Sequence, residues 1–237
     1  MKTTLKNPIL FLILFISAIL FTGCSIDDPG PLQYGERTFT VENFNRLEMG
    51  SAFTIVVREG ATFSVEATGD VRNLDDLVVF RNGSTLVAYY DRPGNRRHVT
   101  TLHITMPDLA AANFSGASTS DIQGFERDEF ELILSGASVS KVYPGFSNVK
   151  LVVSGASKLD LLGAGTSMHA TVSGASELKA KNFPTEEAWL NVSGSSTARV
   201  SVSDRLDVIV SGASSVRYSG DPELHPTVTG GSSLIKE

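Results

Sequence analysis

The sequence predicts an all-β protein wound as a parallel β-helix, or solenoid, with right-handed winding expected from strand twist and crossover preference. Two observations carry this reading. The word S-G-A-S begins at Ser115, Ser135, Ser154, Ser173 and Ser211, with S-G-S-S at Ser193 and T-G-G-S at Thr229. Successive starts lie 20, 19, 19, 20, 18 and 18 residues apart, a period that marks stacked supersecondary units. The second observation is period-two alternation on both sides of the word. Leu151 and Val153 precede Ser154, and Leu159 and Leu161 follow it, at alternate positions that are apolar in most other copies. Between them stand polar residues, as in the ladder Asp121, Lys141, Asp160, Lys179, Arg199, Arg217. Each coil therefore holds two short strands with one buried face, and S-G-A-S is the corner between them. Glycine admits positive φ at that corner, and the small residues let neighbouring corners stack. The corner glycines are Gly116, Gly136, Gly155, Gly174, Gly194, Gly212 and Gly230. The serine hydroxyls are expected to satisfy backbone groups that a corner leaves without a ladder partner.

Taken in order, residues 1–23 read as an export signal. Lys2 and Lys6 precede an apolar run from Ile9 to Phe21 that is short for a membrane span. The run ends in Phe21-Thr22-Gly23-Cys24, which resembles the lipobox of bacterial lipoproteins. That resemblance implies cleavage before Cys24 and lipidation of its thiol, with several acyl chains giving a stable membrane anchor. Cys24 is the only cysteine, so an internal disulfide is excluded. Residues 24–36, with Pro29-Gly30-Pro31, form the expected tether. Ser25 and the pair Asp27-Asp28 resemble sorting features of Bacteroidetes lipoproteins bound for the outer membrane, facing the outside or the periplasm. Without Lys2 and Lys6 the mature chain keeps 18 basic against 26 acidic residues, a net charge of −8. That balance argues against nucleic acid as a partner.

Residues 37–110 lack the word but remain rich in strand patterns, and Asn82-Gly83 between two apolar runs is a hairpin signal. The region is expected to cap the first coil, and Met49-Gly50-Ser51-Ala52 reads as a degenerate earlier corner. Residues 111–237 hold the repeats. Their coils close through variable loops such as Pro144-Gly145-Phe146-Ser147-Asn148 and Gly163-Ala164-Gly165-Thr166-Ser167. Pro222, Pro226, Lys236 and Glu237 are expected to blunt the last edge. The strings Val65-Glu66-Ala67-Thr68-Gly69-Asp70, Asn73-Leu74-Asp75 and Asn82-Gly83-Ser84-Thr85-Leu86, followed by the repeats, resemble the "putative auto-transporter adhesin, head GIN domain" family. The resemblance spans roughly residues 40–237 and implies an exported β-helical protein. A barrel translocator finds no room in the chain.

Seven equivalent corners argue against a nucleophile among the serines, because a catalytic site needs singular residues. Asp121 and Asp160 stand two coils apart with Lys141 between them, which reads as a solvated ladder rather than a carboxylate pair. His169 and His225 share a column but lie three coils apart, roughly 14 Å, too far for one metal ion. No metal, cofactor or catalytic residue is therefore expected. Two surface features remain. Arg92, Arg96, Arg97 and His98 crowd one loop, read either as a patch for an anionic ligand or as a solvated tip. Trp189 falls in an outward column beside His169 and Asp207, placed either to stack on sugar or to pack under a loop. The expected function is a non-enzymatic, lipid-anchored surface module binding glycan or protein. A ligand-free envelope scaffold and a polysaccharide-acting enzyme are the alternatives.

Overall fold

The computed structural model describes residues 30–94 and 96–237; Cys24, the signal and the first part of the tether lie outside the described residues. The chain from Pro31 to Glu237 forms one unit. Its first strands are β1 (Tyr34–Phe39), β2 (Arg46–Gly50), β3 (Thr54–Glu59) and β4 (Ser64–Asp70), followed by a one-turn helix α1 (Val71–Asp75). Then come β5 (Leu77–Asn82), β6 (Thr85–Tyr90), β7 (Thr101–Met106), β8 (Ala111–Ser115), β9 (Thr119–Leu134) and β10 (Val139–Val153). The chain ends with β11 (Lys158–Leu161), β12 (Ser167–Val172), β13 (Glu177–Val192), β14 (Thr197–Val210), β15 (Ser215–Ser219), β16 (Glu223–Val228) and β17 (Ser233–Lys236).

Parallel pairing repeats the period of the sequence. Val139 pairs with both Thr119 and Lys158, and Val153 with both Leu134 and Val172. Two ladders result, one on each side of the corner. The first runs β1-β4-β7-β3-β9-β10-β11-β13-β14-β15-β17, and the second β5-β6-β2-β8-β9-β10-β12-β13-β14-β16. Alternation makes each strand bury one face, so Val149, Leu151, Val153, Leu159 and Leu161 all enter the core between the ladders. The core tapers. Serine fills its corner end, where Ser118, Ser138, Ser157, Ser176, Ser196 and Ser214 are buried. Phe125, Phe146 and Phe183 fill the other end.

The corners stack backbone on backbone. Ala156 N–H donates to the Gly136 carbonyl at 2.7 Å, and Ala175 N–H to Gly155 at 2.7 Å. The ladder thus continues through the corner, and serine hydroxyls bond backbone groups there, Ser138 Oγ donating to the Ser135 carbonyl at 2.9 Å and Ser154 Oγ to the Leu134 carbonyl at 3.2 Å. Buried hydroxyls also engage the neighbouring coil: Ser118 Oγ donates to Ser138 Oγ at 3.1 Å, and Ser157 Oγ accepts from Ser138 N–H at 3.3 Å. Gly155 sits at φ +75, and a methyl there would run into the backbone of Gly136. Only glycine meets both conditions.

One correction concerns residues 144–148. Strand β10 continues through them with a single register shift between Tyr143 and Gly145. Phe146 turns inward and stacks on Phe130 with centroids 4.3 Å apart, and its burial holds the segment to the sheet. Residues 162–166 do leave the strand pattern. There a side chain at Gly165 would occupy the place of the Phe183 ring from the next coil.

The N-terminal region is interleaved with the solenoid. Strand β2 pairs in parallel with β8, Gly50 opposite Ser115, and β3 pairs with β9. Residues 50–53 therefore form a corner stacked against Ser115–Ser118. Strands β6 and β7 then fold over this coil, parallel to β2 and β3. Antiparallel strands finish the end: β4 and β1 on the first ladder, and β5, joined to β6 through the Gly83 turn, on the second.

Candidate functional site: an outward groove on the second ladder

Because inward residues repeat and outward residues do not, chemistry specific to this chain lies on the outside of the coils. On the outer face of the second ladder, the position four before each corner carries Glu131, Lys150, His169, Trp189, Asp207 and His225 in register. These residues line a groove of about 950 Å³ with Val152, Thr171, Asn191, Ile209 and Thr227 beside them. A smaller cavity of about 310 Å³ continues from Glu131, Lys150 and His169 towards Arg46 and Arg127. The larger groove crosses six strands, about 24 Å along the coil axis.

Its centre is aromatic. The His169 and Trp189 rings stack with centroids 4.3 Å apart and planes within 9°. Trp189 is half-buried, with His169 against one face of its ring. Exposed Val152 and Ile209 extend the apolar surface beside it. On the next coil Arg205 holds Asp207 through both carboxylate oxygens, at 2.6 and 3.2 Å. Those hydrogen bonds keep the Asp207 carboxyl below the usual carboxylate range. Charges towards the other end are paired as well: Arg46 with Glu131 at 3.1 Å and Arg127 with Asp108 at 2.5 Å.

The arginine loop lies elsewhere, between β6 and β7 at the N-terminal end of the corner stack. With Ser51 and Ala52 it lines a cavity of about 420 Å³. Arg92 Nε donates to buried Asp76 Oδ1 at 2.7 Å, and Arg96 pairs with the other oxygen of the same carboxylate. Arg96 also lies over the Tyr90 ring, 3.7 Å from its centroid, and donates to Asn73 Oδ1 at 3.1 Å. Asn73 Nδ2 in turn donates to the His98 carbonyl at 2.7 Å, and the His98 ring stands 4.0 Å from Asp70. Arg97 lies on the same loop with its side chain exposed. Two of the four basic residues thus clamp the loop to the body. Their hydrogen bonds, those from Arg92 foremost, draw Asp76 below its ordinary carboxyl range against the effect of burial.

Other residues flagged by the sequence do not converge. Lys141 stands between Asp121 and Asp160, and Asp121 is held by Arg58 at 2.7 Å. His169 and His225 are on β12 and β16, separated by β13 and β14. Among the described residues no group of three or more His, Cys, Asp or Glu is placed to hold a metal ion. The clamp on Asp207 escaped sequence reasoning, although the alternation that places Asp207 outward also places Arg205 outward two residues away.

A family model described as "Putative auto-transporter adhesin, head GIN domain" matches residues 43–222. The chain belongs to this family. No curated protein sequence is recognisably similar to it. Solved structures share the GIN-domain fold at low identity. A crystal structure described as a putative adhesin from Bacteroides fragilis superposes with a TM-score of 0.82 at 17% identity, covering 86% of this chain and 97% of that one. A putative adhesin from Parabacteroides distasonis gives 0.70 at 15% identity, over 88% and 98% of the two chains. A structure described as a putative lipid binding protein from the same species gives 0.67 at 18% identity, over 86% and 96%. The match to an adhesin family points to the cell envelope or cell surface.

Proposed function

We propose that this GIN-domain protein is a non-catalytic, lipid-anchored adhesion module of the outer membrane that holds a glycan against the outward groove of its second ladder. The observation that carries the reading is the stacked His169–Trp189 pair, the one place where the outward column turns aromatic on successive coils. Binding sites combine apolar and aromatic surface with a few placed polar groups, and this groove offers both. Paired charges at both ends leave the ring pair as the dominant contact surface. A stiff stack of coils tethered through Cys24 suits a module that must project its ligand face from a membrane.

Two experiments test the reading. Mild protease treatment of intact cells, followed by blotting, should remove the protein from the surface, while Cys24→Ala should move it out of the membrane fraction. A protected pool, or a variant still retained by membranes, contradicts the location. Affinity electrophoresis through gels containing soluble polysaccharides should retard the wild-type protein in at least one gel. Migration unchanged in all of them rejects glycan adhesion.

A further inference from the structure

The groove contains a gap whose dimensions and charge specify more than a general affinity for glycan. One face of Trp189 is covered by His169. The stacked centroids, 4.3 Å apart, match the strand spacing of about 4.8 Å, so the ring normals follow the coil axis. The other face of Trp189 therefore looks towards the next coil, where Asp207 is its register partner. The Asp207 carboxylate is held by Arg205, two residues back on the same strand. One coil further on stands His225, whose Nε2 lies 3.2 Å from Glu223. Trp189 and His225 thus bracket a gap two strand spacings wide, about 9.6 Å. One ring placed midway has about 4.8 Å on each side, close to the separation already adopted by His169 and Trp189.

We propose that this gap is a subsite for a single uncharged pyranose ring of the bound glycan, stacked on Trp189, with the Asp207 carboxylate accepting hydrogen bonds from its hydroxyl groups. The proposal rests on the adhesion reading above and names the chemistry of that site. A carboxylate offers about four acceptor directions, and Arg205 occupies two, which leaves acceptor capacity for a vicinal diol. The arginine also fixes the carboxylate in place, so little ordering remains to be done on binding. Selection against acidic sugars follows from the rim. Glu187, Asp207 and Glu223 supply three negative charges against the single positive charge of Arg205, which pairs in register with Glu187 and Glu223. A net charge of −2 disfavours a uronate ring that would sit within a few ångströms of Asp207.

Trp189 is the only tryptophan in the chain, so its emission reports this subsite directly. The full protein, purified from membranes in mild detergent, is titrated with cellohexaose, laminarihexaose and mannohexaose. It is also titrated with hexagalacturonate and with the fully methyl-esterified form of that oligomer. The last two differ in charge but hardly in shape. Expected are a saturable change in Trp189 emission with at least one neutral oligomer, and affinity for the ester at least tenfold above that for the acid. In Asp207→Asn the preference for the ester should shrink by about tenfold. Trp189→Phe should still bind by calorimetry, and Trp189→Ala should not. If oligomers bind by calorimetry while Trp189 emission stays constant, or if acid and ester bind equally, the subsite is wrong and the adhesion reading survives. If no oligomer and no polysaccharide binds, both fall.

Discussion

Replacing Gly155 with alanine tests the corner stack at its centre. The residue sits at φ +75, where an L side chain costs about 1–2 kcal/mol. Its methyl would also press on the O, N and C atoms of Gly136, all backbone, whose carbonyl is held in the ladder by the Ala156 N–H bond. Relief requires two coils to part, and overpacking of this kind adds about 1–3 kcal/mol. The sum is a loss of about 2–5 kcal/mol. Two controls separate the contributions. Gly83 has φ +59 with open space around it, so Gly83→Ala should show the backbone cost alone, about 1–2 kcal/mol. Gly230 has φ +71 and meets Gly212 at longer distances in the last corner, so its alanine variant should fall between the two. Urea unfolding followed by far-ultraviolet circular dichroism and by Trp189 emission gives the ranking. The two probes must coincide, because a stack of coils can unfold in segments. A Gly155→Ala loss within about 0.5 kcal/mol of the Gly83→Ala loss, at unchanged slope, refutes the argument that stacked corners exclude a β-carbon.

Phe146→Ala empties the space beside Phe130 and should cost about 3–5 kcal/mol in the same assay, whereas a true loop residue would cost far less. Asp70 and Asp76 are buried carboxylates whose arginine partners hold them below the ordinary value, Asp70 most strongly through Arg72. Their folded pKa values lie below the unfolded value of about 3.9, so their stabilisation is complete above that pH and fades as pH falls through the folded values. Melting temperature should therefore drop steeply below about pH 4, and Asp76→Asn should lower it at neutral pH while flattening the acid limb. An acid limb as steep in the variant as in wild type would show that Asp76 does not contribute to it.

The solenoid was legible because translation along an axis leaves a period, and alternation around each corner assigns every residue a side. The corner between β2 and β3 was legible at Met49-Gly50-Ser51-Ala52, but the placement of β6 and β7 over it was not. Strands β6 and β7 pair in parallel with β2 and β3 but lack the repeated word, and nothing local shows that residues 85–106 fold over the coil formed by residues 46–59. Pro144 and Gly145 gave the Phe146 segment the composition of a loop, but burial of one phenylalanine against Phe130 outweighed them. The arginine loop was visible as charge, yet its partner Asp76 lies 16 residues before Arg92, at the end of α1, where no motif links the two. Trp189, His169, Asp207 and His225 were already adjacent once the copies were aligned on their corners. Only the ring geometry and the Arg205 clamp had to come from the structure.

The account places ligand recognition where the repeats differ on the second ladder and gives the arginine loop a structural role. Its most direct test compares Trp189→Ala with the triple variant Arg92→Ala, Arg96→Ala, Arg97→Ala, both checked for native circular dichroism, in retention by the polysaccharide that binds wild type. The account predicts at least a tenfold loss of affinity for Trp189→Ala and wild-type affinity for the folded triple variant. Full retention of Trp189→Ala together with loss in the triple variant would contradict it.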